Sequence, residues 1–97
     1  MELSFNNSQI SEHEKIDAYR GIGQALMYVG EYAEAIPFLD ETIAMAVNVR
    51  APDQIANAVG IKAQCLFRMD RWDEVLELEK EWRDLDSRYT RERVGET

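Results

Sequence analysis

The sequence predicts an all-α domain, built as stacked antiparallel helical hairpins, and three observations carry that prediction. Apolar residues recur at spacings of three and four along most of the chain, the period of a helix face and not of a strand. The breaks in this pattern fall where helices end or begin: at Gly30, across Asn48-Val49-Arg50-Ala51-Pro52, and at Asp70-Arg71. Nothing alternates with a strand's two-residue period, and two Pro and five Gly leave no long linker or low-complexity tract.

The first helix is announced by Ser11-Glu12-His13-Glu14. Ser11 as N-cap and Glu14 three residues later can each bond the other's backbone N–H, the capping-box arrangement. Its apolar stripe is Ile16, Tyr19, Ile22, Gly23, Leu26 and Met27, and Gly30 is suited to end it in the left-handed conformation. The second stripe is Tyr32, Ala35, Ile36, Leu39, Ile43 and Ala46. Pro37 falls inside it, where proline removes a backbone donor. Either the helix bends or opens there, or it starts late with Pro37 in its first turn; both remain open. Pro52 before Asp53 starts a third helix with the stripe Ile55, Val59, Ala63, Leu66 and Phe67. A fourth carries Trp72, Val75, Leu76, Leu78, Trp82 and Leu85.

Length sets the scale. With 97 residues and 45% hydrophobic content, residues 1–97 form one small domain with a marginal core. Nineteen acidic against eleven basic residues leave a net charge of −8, which argues against nucleic acid and against an anionic membrane surface. No apolar run reaches the roughly 18 residues of a spanning helix, and residues 1–10 lack the pattern of a signal peptide. One cysteine, Cys65, and one histidine, His13, exclude a disulfide framework and the usual zinc sites. A reduced, cytoplasmic setting is expected, with no cofactor.

The turns Gly30-Glu31-Tyr32 and Asp70-Arg71-Trp72 stand 40 residues apart. Aligning 7–46 with 47–86 gives only five identities, among them Gln24/Gln64 and Leu26/Leu66, which alone is near chance. The chemical matches are stronger. Gly23 meets Ala63, Ala25 meets Cys65, Tyr32 meets Trp72 and Ile36 meets Leu76, so small faces small and ring faces ring. A period of this length with two helices per unit indicates a repeat of helical hairpins, 7–46 and 47–86, with 87–97 opening a further, incomplete helix.

From Ala18 to Met45 the chain resembles the tetratricopeptide repeat family, through Tyr19, Ile22-Gly23, Leu26, Gly30-Glu31-Tyr32, Ala35-Ile36, Leu39 and Ile43. Gly23 and Ala35 are small where the helices of a hairpin cross, and Tyr32 should pack over the turn. The second unit is more degenerate: Val59, Ala63, Leu66, Trp72, Leu76 and Trp82 fit, but Lys62 replaces an apolar residue, Val75 an alanine, and Trp82 a small one. The usual repeat is about 34 residues and ends in proline; here Val47 stands at that place, so the unit resembles the extended variety. In the same frame Met1–Asn6, with Leu3 and Phe5, looks like the tail of an earlier helix, and Thr90 like the N-cap of a next one. Two units fall short of the three that usually close a core, so the chain is expected to be a piece of a longer array or to associate through its open ends.

Charge is unevenly spread. Residues 31–46 sum to −4 and 70–86 to −5, whereas 47–69 sum to +2 through Arg50, Lys62 and Arg68. In the family the first helices line a concave groove and the second helices its back. The resemblance therefore implies an acidic back, read as a solvated face, and a mixed groove lined by Asp17, Arg20, Gln24, Met27, Tyr28, Asn57, Ile61, Gln64, Phe67 and Arg68. The carboxylates at Asp73, Glu77 and Glu81 lack a rigid oxygen-ligand loop, so no metal site is expected. His13 reads as a solvated helix residue and Cys65 as a packing cysteine. Gly21-Ile22-Gly23 sits mid-helix without a preceding strand and is no dinucleotide loop. Catalysis is not expected.

What remains is binding. Arg20, Gln24, Met27, Tyr28, Gln64, Phe67 and Arg68 are the expected contact residues: apolar anchors with amide and guanidinium donors for a peptide or a partner domain. Gly60 and Ile61 replace the polar contacts of a chaperone-tail clamp, which is not expected. The sequence thus reads as a non-catalytic protein–protein interaction module. The alternatives are a ligand- or peptide-sensing fragment of a larger bacterial signalling protein and a structural self-association module forming a homo-oligomer.

Overall fold

The computed structural model describes residues 11–93, and among them every regular element is a helix. In order these are α1 (Glu12–Tyr28), α2 (Tyr32–Asn48), α3 (Pro52–Arg68) and α4 (Trp72–Arg93). The first three have 17 residues each, and three-residue links join all four, so a new helix opens every 20 residues. The architecture is repeat-like. Met1–Asn6 and the end of the 87–97 segment, residues 94–97, lie outside the described residues.

All three links are built alike. At the first, Gly30 N–H donates to the Met27 carbonyl and Glu31 N–H to that of Leu26; Arg50 and Ala51 bond Val47 and Ala46, and Asp70 and Arg71 bond Phe67 and Leu66. These paired bonds close each helix as a Schellman motif, which requires a left-handed residue just past the helix end. Gly30 takes that conformation at φ 88°, and Arg50 and Asp70 take it at 56° and 60° despite their side chains.

The starts differ. Ser11 forms the complete capping box: Glu14 N–H donates to Ser11 Oγ at 3.1 Å, and Ser11 N–H to Glu14 Oε1 at 2.9 Å. α2 begins at Glu31 with no side-chain cap, and α3 has Pro52 in its first turn, where the missing N–H would be unpaired anyway. α2 then runs unbroken through Pro37, so the late start is excluded. Ala33, whose carbonyl loses its helical donor there, and Pro37 are both exposed, so water can reach that carbonyl.

One boundary is corrected. The separate helix expected to open at Thr90 does not form; α4 continues through it to Arg93. No glycine, proline or left-handed residue interrupts the stretch, and Trp82, Leu85 and Tyr89 extend one half-buried stripe past the expected break.

Each helix packs on the next in sequence, and α1 also touches α3. The α1/α2 crossing is the tightest point. Gly23 is buried against Leu39 and Ala35, which are both fully buried, as the small-residue pattern predicts. Ala35, Leu39, Ile61 and Cys65 form one core cluster, flanked by Leu26, Met27 and Tyr32. A second joins Ile16, Ala46, Ile55, Val59, Leu66 and Leu78. Full burial of a side chain such as Leu39 is worth about 1.5–3 kcal/mol. The one buried polar side chain among the described residues, Thr42, donates its hydroxyl to the Phe38 carbonyl at 2.8 Å. Lys62, at an apolar position of the repeat pattern, ion-pairs with Asp40 of α2.

α4 is covered least. Trp72 and Leu76, counted in its apolar stripe, are 52% and 65% exposed, and Leu78 is its buried hydrophobic residue. The bulk of Trp82 stands beside a crevice of about 180 Å³ between α4, α3 and Ile43 of α2.

Candidate functional site

The C-terminal halves of α1 and α3 carry most of the expected contact residues. Met27, Tyr28, Gln64 and Arg68 line one hollow of about 170 Å³, together with Tyr32 at the start of α2. Gln64, Phe67 and Arg68 line a second, of about 410 Å³, with Ala63 and Val75. Gln64 and Arg68 therefore form a wall common to both. The first hollow opens on the α1 side of that wall and the second on the α4 side.

Helical geometry explains the grouping. Phe67 and Arg68 stand three and four residues after Gln64, so all three share the solvent face of α3. Phe67 is 51% exposed and meets the ring of Trp72 edge-on, with centroids 4.5 Å apart. Tyr28 is 75% exposed, and its hydroxyl accepts from Gln24 Nε2 at 3.3 Å. Met27 is half-buried against the Ala35–Leu39–Cys65 cluster and forms a floor more than a wall.

Arg20 lies outside both hollows. Its Nη1 donates to Gln54 Oε1 at 2.8 Å and its Nη2 lies 3.5 Å from Asp17 Oδ1, while Gln54 Nε2 donates to the same carboxylate oxygen at 3.1 Å. The triangle ties α1 to α3 and turns both terminal nitrogens of Arg20 and one carboxylate oxygen of Asp17, two residues expected to face the groove, toward Gln54 and each other. Gln24 also stands outside, reaching the site only through Tyr28. Ile61, expected in the groove, is a core residue: α3 is packed on two sides, and the wider buried arc takes Ile61 in.

Tyr32, Ala63 and Val75 were not expected to line the site. The signal for the first was partly present, since the 40-residue frame sets Tyr32 opposite Trp72, whose ring meets Phe67 of the second hollow. Ala63 and Val75 correspond to Gly23 and Ala35. Where the first pair lets α1 and α2 meet closely, the larger second pair lines open space.

No family model matches this chain, and no curated protein or solved structure matches it significantly. The site has to be judged on its own chemistry. Cys65 is fully buried among Ala35, Leu39 and Ile61, and burial pushes its thiol above the ordinary value, which disfavours the thiolate. His13 is exposed in the first turn of α1 and borders neither hollow. Among the described residues no three His, Cys, Asp or Glu side chains gather to hold a metal, and no helix is long and apolar enough to cross a membrane. The arrangement offers apolar walls, amides and a guanidinium on an open surface.

Proposed function

We propose that the chain is a two-hairpin helical-repeat module of the tetratricopeptide kind, without catalytic activity, and that its α1/α3 surface binds an extended segment of a partner protein. The observation that carries this reading is the pair of adjoining hollows, which share Gln64 and Arg68 and gather Met27, Tyr28 and Phe67 from two helices. Apolar recesses beside the exposed amide of Gln64 suit a peptide, whose side chains fill the recesses while its backbone bonds that amide. The contact of α1 with α3 and the 20-residue helix spacing agree with stacked hairpins. The single free cysteine accords with a reducing, cytoplasmic setting.

The test is selection of binding peptides from a displayed random library, followed by titration of the enriched peptides. Phe67→Ala and Gln64→Ala should weaken binding about tenfold, as loss of an anchor or a buried hydrogen bond does. Glu41→Ala, exposed on α2, should leave it unchanged. Absence of any enriched peptide, or binding indifferent to both groove variants, overturns the reading.

A second reading, self-association, is favoured by one feature. Trp72 and Leu76 are exposed on the side of the second hairpin that, among the described residues, no other helix covers. Light scattering over a dilution series decides it, because a homo-oligomer formed through that edge dissociates on dilution and on Leu76→Asp.

A further inference from the structure

Resting on the peptide-binding reading, we infer that the partner segment carries an internal Asp or Glu flanked by apolar side chains, with its carboxylate held by Arg68. Lys15, Arg20, Lys62, Arg71 and Arg83 each have a carboxylate partner. Arg68 has no hydrogen-bond or ion-pair partner among the described residues, in a chain of nineteen carboxylic acids. Lys80 and Arg88 also lack a partner among the described residues, but neither borders the hollows.

Position gives the free guanidinium its meaning. It stands on the wall shared by the two hollows, beside the aromatic ring of Phe67 and the apolar side chains of Ala63 and Val75 on one flank, and Met27, Tyr28 and Tyr32 on the other. A guanidinium bonds a carboxylate through two parallel N–H donors. Gln64, likewise without a side-chain partner among the described residues, offers an amide N–H and carbonyl one turn away, complementary to a peptide group.

Because a recess opens on either side of Arg68, the ligand has apolar side chains on both sides of its anion. A chain terminus supplies them on one side only, so the carboxylate is that of a side chain. Charge selects the same place. A protein of net charge −8 repels an acidic segment in general, yet residues 47–69 sum to +2 between flanks of −4 and −5. Within that segment Lys62 is tied to Asp40 and Arg50 has an interaction of its own, so Arg68 is the charge left to attract an anion.

The experiment pans the full chain and its Arg68→Glu variant against a random linear peptide library fused at its C-terminus, so that no free carboxyl terminus is offered. The wild type should enrich peptides with Asp or Glu between apolar residues, and Arg68→Glu should enrich Lys or Arg at that place. An amidated synthetic binder should bind about tenfold or more weakly after Asp→Asn, or to Arg68→Ala, as for loss of a charged hydrogen-bonded pair. Arg68 is exposed, and circular dichroism melting checks that its variants fold. Groove-dependent binders without acidic enrichment, or indifferent to Arg68→Ala, overturn the inference and leave the peptide-binding reading standing. Absence of any binder sensitive to Phe67→Ala or Gln64→Ala overturns both.

Discussion

Gly23 of α1 lies so close to Leu39 of α2 that a Cβ built on it would stand 2.8 Å from Leu39 Cδ2 and 2.9 Å from Cγ. Leu39 is fully buried, so it could give way only by disturbing the core around it. Replacing Gly23 by Ala should therefore destabilise the fold: overpacking costs about 1–3 kcal/mol, against a gain of about 1 kcal/mol in helix propensity. Gly21 and Gly60 are mid-helix controls, with nothing within 4 Å of an added Cβ. Gly21→Ala and Gly60→Ala should each stabilise by about 0.5–1 kcal/mol. Urea unfolding of the three variants reads the sign directly. A stabilising Gly23→Ala would mean that the α1/α2 crossing is looser than its geometry.

The three helix ends share one hydrogen-bond pattern but not one residue type. A left-handed conformation is easy for Gly30 and strained for residues with a Cβ, by roughly 1–2 kcal/mol, a strain that Asp and Asn reduce by local bonding. Asp70→Gly should thus raise stability by up to about 1 kcal/mol, and Gly30→Ala should lower it by about as much. Arg50→Gly is the less clean test, because Arg50 makes an interaction of its own. Equal melting temperatures for wild type and Asp70→Gly would show that the aspartate is at no disadvantage there.

How much of this was legible beforehand follows from the range of each cause. The capping box at Ser11, the stop at Gly30 and the start at Pro52 are set within one helical turn, so a local pattern suffices to find them. The Gly23/Ala35 crossing showed because small residues leave a trace in composition. The covered width of each helix left no such trace. Trp72 and Leu76 continue the apolar stripe of α4 yet remain exposed, because among the described residues α4 has a neighbour on one flank only. Ile61 was misplaced for the opposite reason, since α3 is covered on two. Arg20 was expected in the groove, but its fate is decided by Gln54, 34 residues on, and no helical spacing points there.

Cys65 gives a kinetic check on the core. The side chain is fully buried and its thiol is held above the ordinary value by burial. A thiol reagent should then modify it only when the fold opens, at a rate set by the unfolding equilibrium. Gly23→Ala should speed modification by the factor that its loss of stability implies, and Gly21→Ala should slow it. Rapid labelling that ignores both variants would place Cys65 on a mobile edge and not in the Ala35–Leu39–Ile61 cluster.

The start of α2 carries a pH-dependent weakness. Glu31 occupies the N-cap without making a cap bond, and Glu34 follows in the first turn. A hydrogen bond shared with Glu31, then repulsion between the two carboxylates, hold the Glu34 carboxyl above its ordinary value. For an acid raised in the folded state, the folded protein binds the extra proton, so stability from this pair grows as pH falls through the Glu34 titration and is lost above it. Glu31→Gln removes the repulsion. The variant should be more stable than wild type at neutral pH, and the difference should fade as the pH is lowered past the carboxylate range. Both groups are exposed, so added salt should shrink the difference as well. Thermal melts of the pair from neutral to acid pH, at low and high salt, measure it. A difference that persists unchanged at acid pH would locate the effect of Glu31 in the helix cap and not in its charge.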